Sequence, residues 1–401
     1  MRARSLVHHN ADAARSGQSG LSGVNMKIKS IESLAVSLPM KKPVAMAAET
    51  VTRADNVFVR VECEGGSVGW GEAASAPTMT GETTASMTAA VAHMRPALLD
   101  RAADDFAAIA AAMDGALYGN TGAKAAIDIA LHDLVARATG RPLHALFGAK
   151  RRSRIALLAV VGSLDEAADL REARERFAAG YRAFKIKVGL ASPEADGART
   201  HALCCMLKAE REDCLVSADA NQGFSVEEAL RYVAAVGDCG LDFFEQPVRA
   251  DNLDGMARVA AASRVPIGAD EGIHGLHDIE HHHARKAAAG VSLKAIKLGG
   301  LRALHDACAL CDRLGMKVNI SCKTGESSVA SAAALHLAAT APALDWGLTL
   351  TSHGLAEDAT VLPLGIESGH VVVPDRPGLG VEVDERRLRG SQQDISVRKV
   401  A

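Results

Sequence analysis

The segment AFKIKVG, residues 183–189, decides the fold class of this chain. Its side chains alternate in character, which is typical of a β-strand whose two faces differ. Lys185 and Lys187 share one face, whereas Phe184 and Ile186 share the other. An unpaired ammonium group is costly to bury. The segment therefore predicts a strand that turns two lysines toward charged partners in a functional site.

On both sides of this segment, from Arg154 to about residue 372, short apolar strands alternate with helical stretches. This alternation is typical of a parallel sheet, and the repeats are numerous enough to close a barrel of seven or eight strands. One of the helices is expected to begin at Ser163, because Ser163 and Glu166 have the spacing of a capping box. The fold class predicted for this region is α/β.

The region before the barrel has a different pattern. Strands are expected at 27–37, 55–63 and 67–72, and helices follow from Gly81 to Leu146. Strands followed by helices predict a separate α+β domain. The chain is accordingly divided into a flexible extension (1–25), an α+β domain (26–150), a barrel that carries the active site (151–372) and a C-terminal segment that returns to the first domain (373–401).

The composition excludes several functional classes. The net charge of −3 gives no basic excess to attract nucleic acid or an anionic membrane, and only 3% of the 401 residues are aromatic. The uncharged stretch 327–344 contains His336 and Pro342, so it is interpreted as a buried helix and loop rather than a membrane span. The eight cysteines show no disulfide framework, which favours free thiols in a reducing cytoplasm.

Charged residues recur near the ends of successive predicted strands. Asp219, Glu245, Asp270 and Lys294 follow Lys187, each about one βα unit after the last. In a barrel, the C-terminal ends of the strands are where active sites are built. The sequence therefore predicts that these five side chains meet at one end of the barrel.

The chemistry of these residues predicts a divalent metal ion and two acid/base lysines. Asp219, Glu245 and Asp270 would repel one another without a cation between them, and a set of oxygen ligands favours Mg²⁺, or Mn²⁺, over Zn²⁺. The metal charge would acidify the proton beside a substrate carboxylate and stabilise the resulting enediolate. Lys185 would favour the neutral, basic form of Lys187 beside it. Lys294 would serve the opposite face of the substrate.

The segments KxK, ADANQ, EQP, ADE and SLKxxKxGG resemble the muconate-lactonizing subgroup of the enolase superfamily. The resemblance covers about residues 27–385 and includes GWGEA at 69–73. It implies a modified (β/α) barrel beneath an N-terminal α+β capping domain. It also implies that Asp219, Glu245 and Asp270 are the metal ligands. By the same resemblance, Lys187 and Lys294 are the acid/base residues, and Lys185 lies beside the substrate carboxylate.

Further residues are assigned to the substrate site. Asn221 and Glu271 flank the metal ligands and are expected to bind or support the substrate. By resemblance, the stretches 41–49 and 75–82 are loops that close over it and set specificity. Met46, Thr78 and Met79 would make that pocket modestly polar, which favours an apolar or unsaturated acid. Lys323 and Glu326 are expected either to touch substrate or to belong to a helix-opening turn, and His281, His282 and His283 are expected on a solvated surface.

The segment LDWGLTL, residues 344–350, bears on the reaction. Its Trp-Gly is similar to the cycloisomerase branch, but Leu348-Thr349-Leu350 stands where that branch usually has Thr-Glu-Leu. The dipeptide-epimerase branch usually has Asp-x-Asp, and here Asp345 stands alone. The favoured prediction is a muconate-cycloisomerase-like isomerase or lyase, a cytoplasmic homo-oligomer acting on a small-molecule carboxylate. The alternatives are a racemase or epimerase of N-substituted amino acids or dipeptides, an acid dehydratase, and a catalytically silent barrel.

Overall fold

The computed structural model describes residues 25–45, 50–163 and 165–393. Nearly all of the extension predicted at 1–25, together with Met46, lies outside these ranges. The described strands are Ile28–Ala45 (β1), Thr50–Cys63 (β2), Val68–Ala74 (β3), Arg154–Ala156 (β4), Leu158–Val161 (β5), Ala183–Lys187 (β6), Leu215–Asp219 (β7), Phe243–Glu245 (β8), Ile267–Ala269 (β9), Gly290–Leu293 (β10), Lys317–Ser321 (β11), Leu348–Thr349 (β12) and His370–Val372 (β13).

The described helices are Thr84–Leu98 (α1), Phe106–Ala116 (α2), Thr121–Ala138 (α3), Glu166–Ala178 (α4), Pro193–Glu210 (α5), Val226–Val236 (α6), Leu253–Ala262 (α7), Leu276–Ala284 (α8), Ala295–Leu298 (α9), Leu301–Leu314 (α10), Ser328–Thr340 (α11) and Glu385–Gly390 (α12). Two short 3₁₀ helices cover Leu143–Leu146 and Ser352–Gly354.

The N-terminal domain is an antiparallel sheet, β1-β2-β3, covered by α1, α2 and α3. Strands lie where the sequence predicts them, but β1 and β2 are longer because they remain paired as far as Ala45 and Thr50. The segment 41–45 is therefore strand, and the prediction of a loop there was wrong. Helix α3 packs directly on β3, since a Cβ at Gly71 would lie 2.0 Å from the Ala126 carbonyl oxygen.

The barrel is formed by eight parallel strands in the order β5 to β12, as predicted from the alternation of strands and helices. A parallel bridge between Leu157 and Leu348 brings its first and last strands together. At the N-terminal end of the barrel, Trp346 stacks on Phe243 with ring centroids 4.1 Å apart. A Cβ at Gly290, the first residue of β10, would lie 2.6 Å from the Trp346 ring, so the indole fills this end.

Helix α4 begins two residues later than predicted. Its N-cap is Asp165, whose side chain accepts a hydrogen bond from Ala168 N at 2.7 Å. Ser163 instead donates its backbone N–H and its hydroxyl to Asp169 Oδ1, both at 2.7 Å. The capping box predicted at Ser163 was therefore wrong, because the buried Asp169 binds this serine from inside the helix.

The C-terminal segment lies against the N-terminal sheet. Ala35 O accepts a hydrogen bond from Gln393 N at 2.8 Å, and Arg389 forms a bidentate ion pair with Glu32 at 2.9 Å. The uncharged stretch 327–344 forms α11, whose residues are all buried. In the described ranges, no helix is both long and apolar enough to cross a bilayer.

Candidate active site

The strand register brings three of the predicted residues into one row. Lys187, Asp219 and Glu245 are direct neighbours across β6, β7 and β8. Lys187 Nζ donates to Asp219 Oδ2 at 2.7 Å, and the buried Lys185 forms an ion pair with Glu245. Both lysines point into the barrel, as the alternation in residues 183–189 predicts. Phe184, on the other face of β6, belongs to the hydrophobic core.

Asp270, one residue after β9, binds two lysines from the next βα unit. Lys294, directly after β10, forms an ion pair with one carboxylate oxygen. Lys297, on α9, donates to the other oxygen, Oδ1, at 2.6 Å, and also to the backbone oxygen of Ser292 at 3.0 Å. Lys297 is completely buried. It therefore fixes Asp270 from the side opposite Lys294.

Asn221 forms hydrogen bonds with both Lys187 and Glu271. The Asn221 carbonyl oxygen accepts a hydrogen bond from Lys187 Nζ at 2.6 Å, and its amide nitrogen donates to Glu271 Oε1 at 3.1 Å. The Asn221 backbone has φ of 42°, a conformation that is uncommon outside glycine. Asn221 thus contacts Lys187 directly, and Glu271 fixes the orientation of the Asn221 amide.

The charges in this cluster balance. The ammonium groups of Lys185, Lys187, Lys294 and Lys297 match the carboxylates of Asp219, Glu245, Asp270 and Glu271. Burial opposes ionisation, but Lys294 and Lys297 hold the pKa of Asp270 well below its usual range. Burial and repulsion from Asp270 raise the pKa of Glu271 to about 7.

Lys294 is suited to an acid role by the same contacts. Burial would lower its pKa, but the charges of Asp270 and Glu271 outweigh burial and raise it above the usual value. An ammonium group stabilised in this way keeps its proton at neutral pH. Its carboxylate neighbours therefore hold Lys294 as an ammonium group in this arrangement.

The three predicted metal ligands lie on neighbouring strand ends and are all at least 98% buried. Their donor atoms are carboxylate oxygens, which suit Mg²⁺. Within the described ranges no three His, Cys, Asp or Glu side chains are arranged as a metal-ligand group. The oxygens of Asp219, Glu245 and Asp270 are turned toward lysines instead. The donor set thus fits Mg²⁺ in its chemistry, and binding would require these oxygens to exchange lysine for metal.

A second pair of buried carboxyl groups joins the capping domain to the barrel after β11. Glu72, on β3, accepts hydrogen bonds from Ser327 N at 2.8 Å and Ala330 N at 3.0 Å, at the beginning of α11. Glu326 Oε2 accepts one from Lys323 N at 2.9 Å. Burial and mutual repulsion raise the pKa of Glu72 to about 8, and burial raises that of Glu326 to about 7. The segment 322–328 thus forms the turn directly before α11, as one of the two interpretations of Lys323 and Glu326 predicts.

A cavity of about 330 Å³ lies between β2 and the turn after β11. Thr50, Thr52, Ser75 and Lys323 are among its lining residues, whereas Met79 packs on the core of the N-terminal domain. None of the clustered lysines and carboxylates lines this cavity, and neither Thr78 nor Met79 does, so the modest polarity expected for the substrate pocket stays a prediction.

One residue of the charged cluster escaped the sequence analysis. Lys297 is part of the SLKxxK pattern, and its spacing from Lys294 is the signal that could have assigned it to Asp270. Thr349, at the end of β12 and already singled out in the segment 344–350, has a buried hydroxyl with no hydrogen-bond partner among the described residues.

The histidine run also differs from expectation. His282 is 4% exposed and its Nδ1 lies 2.8 Å from the Asp278 backbone oxygen. The prediction of a solvated surface was therefore wrong for His282. Its position follows from the helical period of α8, since His282 and Ile279 share the buried face.

Comparison with known proteins identifies the family. Residues 30–148 match the mandelate racemase/muconate lactonizing enzyme N-terminal domain, and residues 168–387 match the enolase C-terminal domain-like family. The chain therefore belongs to the mandelate racemase/muconate lactonizing enzyme family of the enolase superfamily, and it is an enzyme of the isomerase type.

Its relatives catalyse different reactions. The chain is 33% identical over 362 residues to L-Ala-D/L-Glu epimerase of Clostridium acetobutylicum. This alignment covers 89% of this chain and 99% of the relative. The muconate lactonizing enzyme of Pseudomonas fluorescens, solved with muconolactone, superposes with a TM-score of 0.86 at 30% identity, covering 92% and 100%. N-succinyl Arg/Lys racemase of Bacillus cereus gives 0.86 at 27% identity, covering 92% and 99%.

Proposed function

We propose that this enzyme moves a proton at the carbon beside a substrate carboxylate, with Lys187 and Lys294 as the acid/base pair. The observation that carries the proposal is the placement of these lysines. Each projects from a different strand end and pairs with a different carboxylate, Asp219 or Asp270. A substrate between them presents one face to each lysine. Removal of a proton on one side and delivery on the other then need no movement of the substrate.

The cofactor in this proposal is Mg²⁺, which members of the superfamily generally use. Asp219, Glu245 and Asp270 would hold it, and its charge would acidify the proton beside the substrate carboxylate. Lys185, buried against Glu245, would neutralise part of the negative charge of the substrate carboxylate. Lys294, stabilised as an ammonium, gives a proton to the developing carbanion. Lys187, less buried than Lys185 and Lys294, would accept a proton from the opposite face in its neutral amine form.

The favoured reaction is a muconate-cycloisomerase-like addition or elimination on an unsaturated acid. The chain keeps the Trp346-Gly347 pair that is similar to the cycloisomerase branch, although Thr349 stands where that branch usually has a glutamate. Racemisation or epimerisation of an N-substituted amino acid is the second candidate, because lysines on two faces are what a 1,1-proton transfer requires. Dehydration of a hydroxy acid would use the same proton abstraction.

The test is deuterium incorporation from D₂O, with Mg²⁺, over muconates and their lactones, N-acyl amino acids, dipeptides and hydroxy acids. Exchange at the carbon beside the carboxylate is expected for one class of compound, and its identity selects the reaction. Lys187→Ala and Lys294→Ala should abolish overall turnover. Lys317→Ala is the matched control, because Lys317 pairs with Asp345 at the other end of a barrel strand.

The outcomes separate the alternatives. Deuterium in a lactone product supports cycloisomerisation, whereas exchange at an intact amino-acid α-carbon supports racemisation. Exchange that survives both Lys187→Ala and Lys294→Ala, or that is unaffected by EDTA, would contradict the proposal. Absence of exchange over the whole panel would favour the catalytically silent barrel.

A further inference from the structure

A basic cavity of about 530 Å³ opens at the N-terminal end of the barrel strands. Arg154, Arg182, Arg211 and His370 line it, together with one carboxylate, Asp213. Arg182 directly precedes β6, and Lys187 ends the same strand. A strand of this length spans about 16 Å. The cavity is therefore separate from the candidate active site, at the opposite end of the barrel.

Two of the guanidinium groups are held in place by backbone oxygens. Arg182 Nη1 donates to the oxygens of Phe177 at 2.8 Å and Tyr181 at 2.6 Å, and the guanidinium lies 4.1 Å from the centre of the Phe177 ring. Arg154 Nη2 donates to Glu367 O at 2.9 Å. These bonds occupy one nitrogen of each group. The remaining N–H groups are available to a ligand at a low cost in side-chain entropy.

The charge of the cavity is strongly positive. Three guanidinium groups face one carboxylate, which leaves an excess of positive charge even when His370 is neutral. Asp213 is bound by Arg211 through Nε at 2.5 Å and Nη2 at 3.0 Å. These hydrogen bonds, aided by the charges of Arg211 and Arg182, lower the pKa of Asp213. Arg182 is thus close enough to Asp213 for the positive groups to act together.

We propose that this cavity binds a small, multiply charged oxyanion, either a phosphate group or a dicarboxylate. Guanidinium groups match the paired oxygens of both kinds of anion. A volume of about 530 Å³ suits a small molecule. The site is independent of the proposed reaction, because none of its residues contacts the lysine and carboxylate cluster in the described structure.

The experiment is isothermal titration calorimetry of the full-length protein without divalent metal, using inorganic phosphate and succinate as separate probes at constant ionic strength. Binding of one of them is expected to weaken at least fivefold in Arg154→Ala and in Arg211→Ala. Arg182→Lys retains the charge but loses the planar fork, and should weaken binding to a similar degree. The stronger probe identifies the class of anion.

The chain offers a matched control. Arg249 forms the same bidentate pair with Asp251, two residues later, that Arg211 forms with Asp213, but it does not line the cavity. Arg249→Ala should therefore bind the probe like the wild type. Melting temperatures of all variants, measured in parallel, show that each has folded.

Three outcomes would overturn the proposal. The first is that neither probe binds the wild type. The second is that folded Arg154→Ala and Arg211→Ala bind the probe as tightly as Arg249→Ala does. The third is loss of binding in Lys187→Ala with retention in the arginine variants, which would place the anion among the active-site lysines. Loss in the arginine variants with retention in Lys187→Ala supports the site at the N-terminal end of the barrel.

Discussion

Asn221 links Lys187 to Glu271 through its two amide atoms. Because its amide nitrogen is bound by Glu271, its oxygen must face Lys187. Lys294 is instead paired with Asp270, a carboxylate after the neighbouring strand. The two lysines are therefore positioned by different means, and they should respond differently to changes at Asn221.

Asn221→Ala should reduce proton exchange on the Lys187 face of the substrate by about 10–100-fold, since small displacements of a catalytic group have effects of this size. Exchange on the Lys294 face should change much less. Stereospecific deuterium incorporation, followed by NMR, separates the two faces. Glu271→Gln is the control, because its side-chain oxygen can still accept from the Asn221 amide. Equal loss on both faces would show that Asn221 acts on the whole site.

Lys297→Met should destabilise the protein by about 3–5 kcal/mol, because it leaves Asp270 buried with one ammonium partner fewer. Urea unfolding in the absence of metal measures this change. Lys124→Met is the comparison, since Lys124 is also a buried lysine on a helix but pairs with the exposed Asp114. Water can replace Lys124 at Asp114, so the smaller loss is expected there. Similar losses for both variants would contradict the structural role of Lys297.

The sequence predicted the residues of the site better than their contacts. Regular spacing along the strands was enough to bring Lys187, Asp219 and Glu245 together, because parallel strands share their direction. The link from Asn221 to Lys187 could not be predicted, since it depends on a positive φ and on a side-chain rotation. Lys297 was missed because it lies on α9, away from the regularly spaced strand ends that located the other charged residues.

At the scale of secondary structure, β3 and α3 approach so closely that only glycine fits between them. A Cβ at Gly71 would lie 2.0 Å from Ala126 O, and one at Gly69 would lie 2.1 Å from Ala130 O. The period of the two glycines places them on the face of β3 that α3 covers. The packing of the capping domain therefore depends on the absence of side chains at these positions.

Gly71→Ala should lower the free energy of unfolding by about 3 kcal/mol, because the added methyl group must displace the backbone of α3. Chemical denaturation followed by circular dichroism measures the change. Gly115→Ala is the matched control: Gly115 is inside α2 and a Cβ there meets nothing within 4 Å. Alanine at position 115 should stabilise the protein by about 0.5–1 kcal/mol. A neutral effect of Gly71→Ala would mean that α3 can move away from the sheet.

The predicted positions of strands were more reliable than the predicted ends of the elements. Alternating side chains located β1 and β2, but their continuation to Ala45 and Thr50 depends on pairing between two strands rather than on either one. Helix α4 shows the same limitation, because Ser163 and Asp165 are both good caps by residue type. The buried Asp169, which binds Ser163, decided between them.

At the scale of the whole molecule, Glu72 and Glu326 bring two buried carboxyl groups to the contact between the domains. Their pKa values are raised to about 8 and about 7, so the folded protein holds protons that the unfolded chain releases near 4.5. The folded state binds more protons over that interval, and its stability therefore falls as pH rises from about 4.5 to about 8.

Glu326→Gln should reduce this loss of stability, because glutamine has no proton to release. The melting temperature of the wild type should fall more between about pH 6 and about pH 8.5 than that of the variant, since only the wild type ionises a second buried group there. Differential scanning calorimetry at both pH values provides the comparison. Glu227→Gln, a change to an exposed glutamate on α6, should leave the wild-type pH dependence intact. Parallel pH dependences in wild type and Glu326→Gln would contradict the assignment.

The stacked rings of Trp346 and Phe243 affect how substrate enters the enzyme and how product leaves it. Because they fill the N-terminal end of the barrel, a molecule bound among the lysines has one route in and the same route out, past the capping domain. Product that lingers on this route excludes the next substrate. We therefore expect product inhibition to be competitive with substrate.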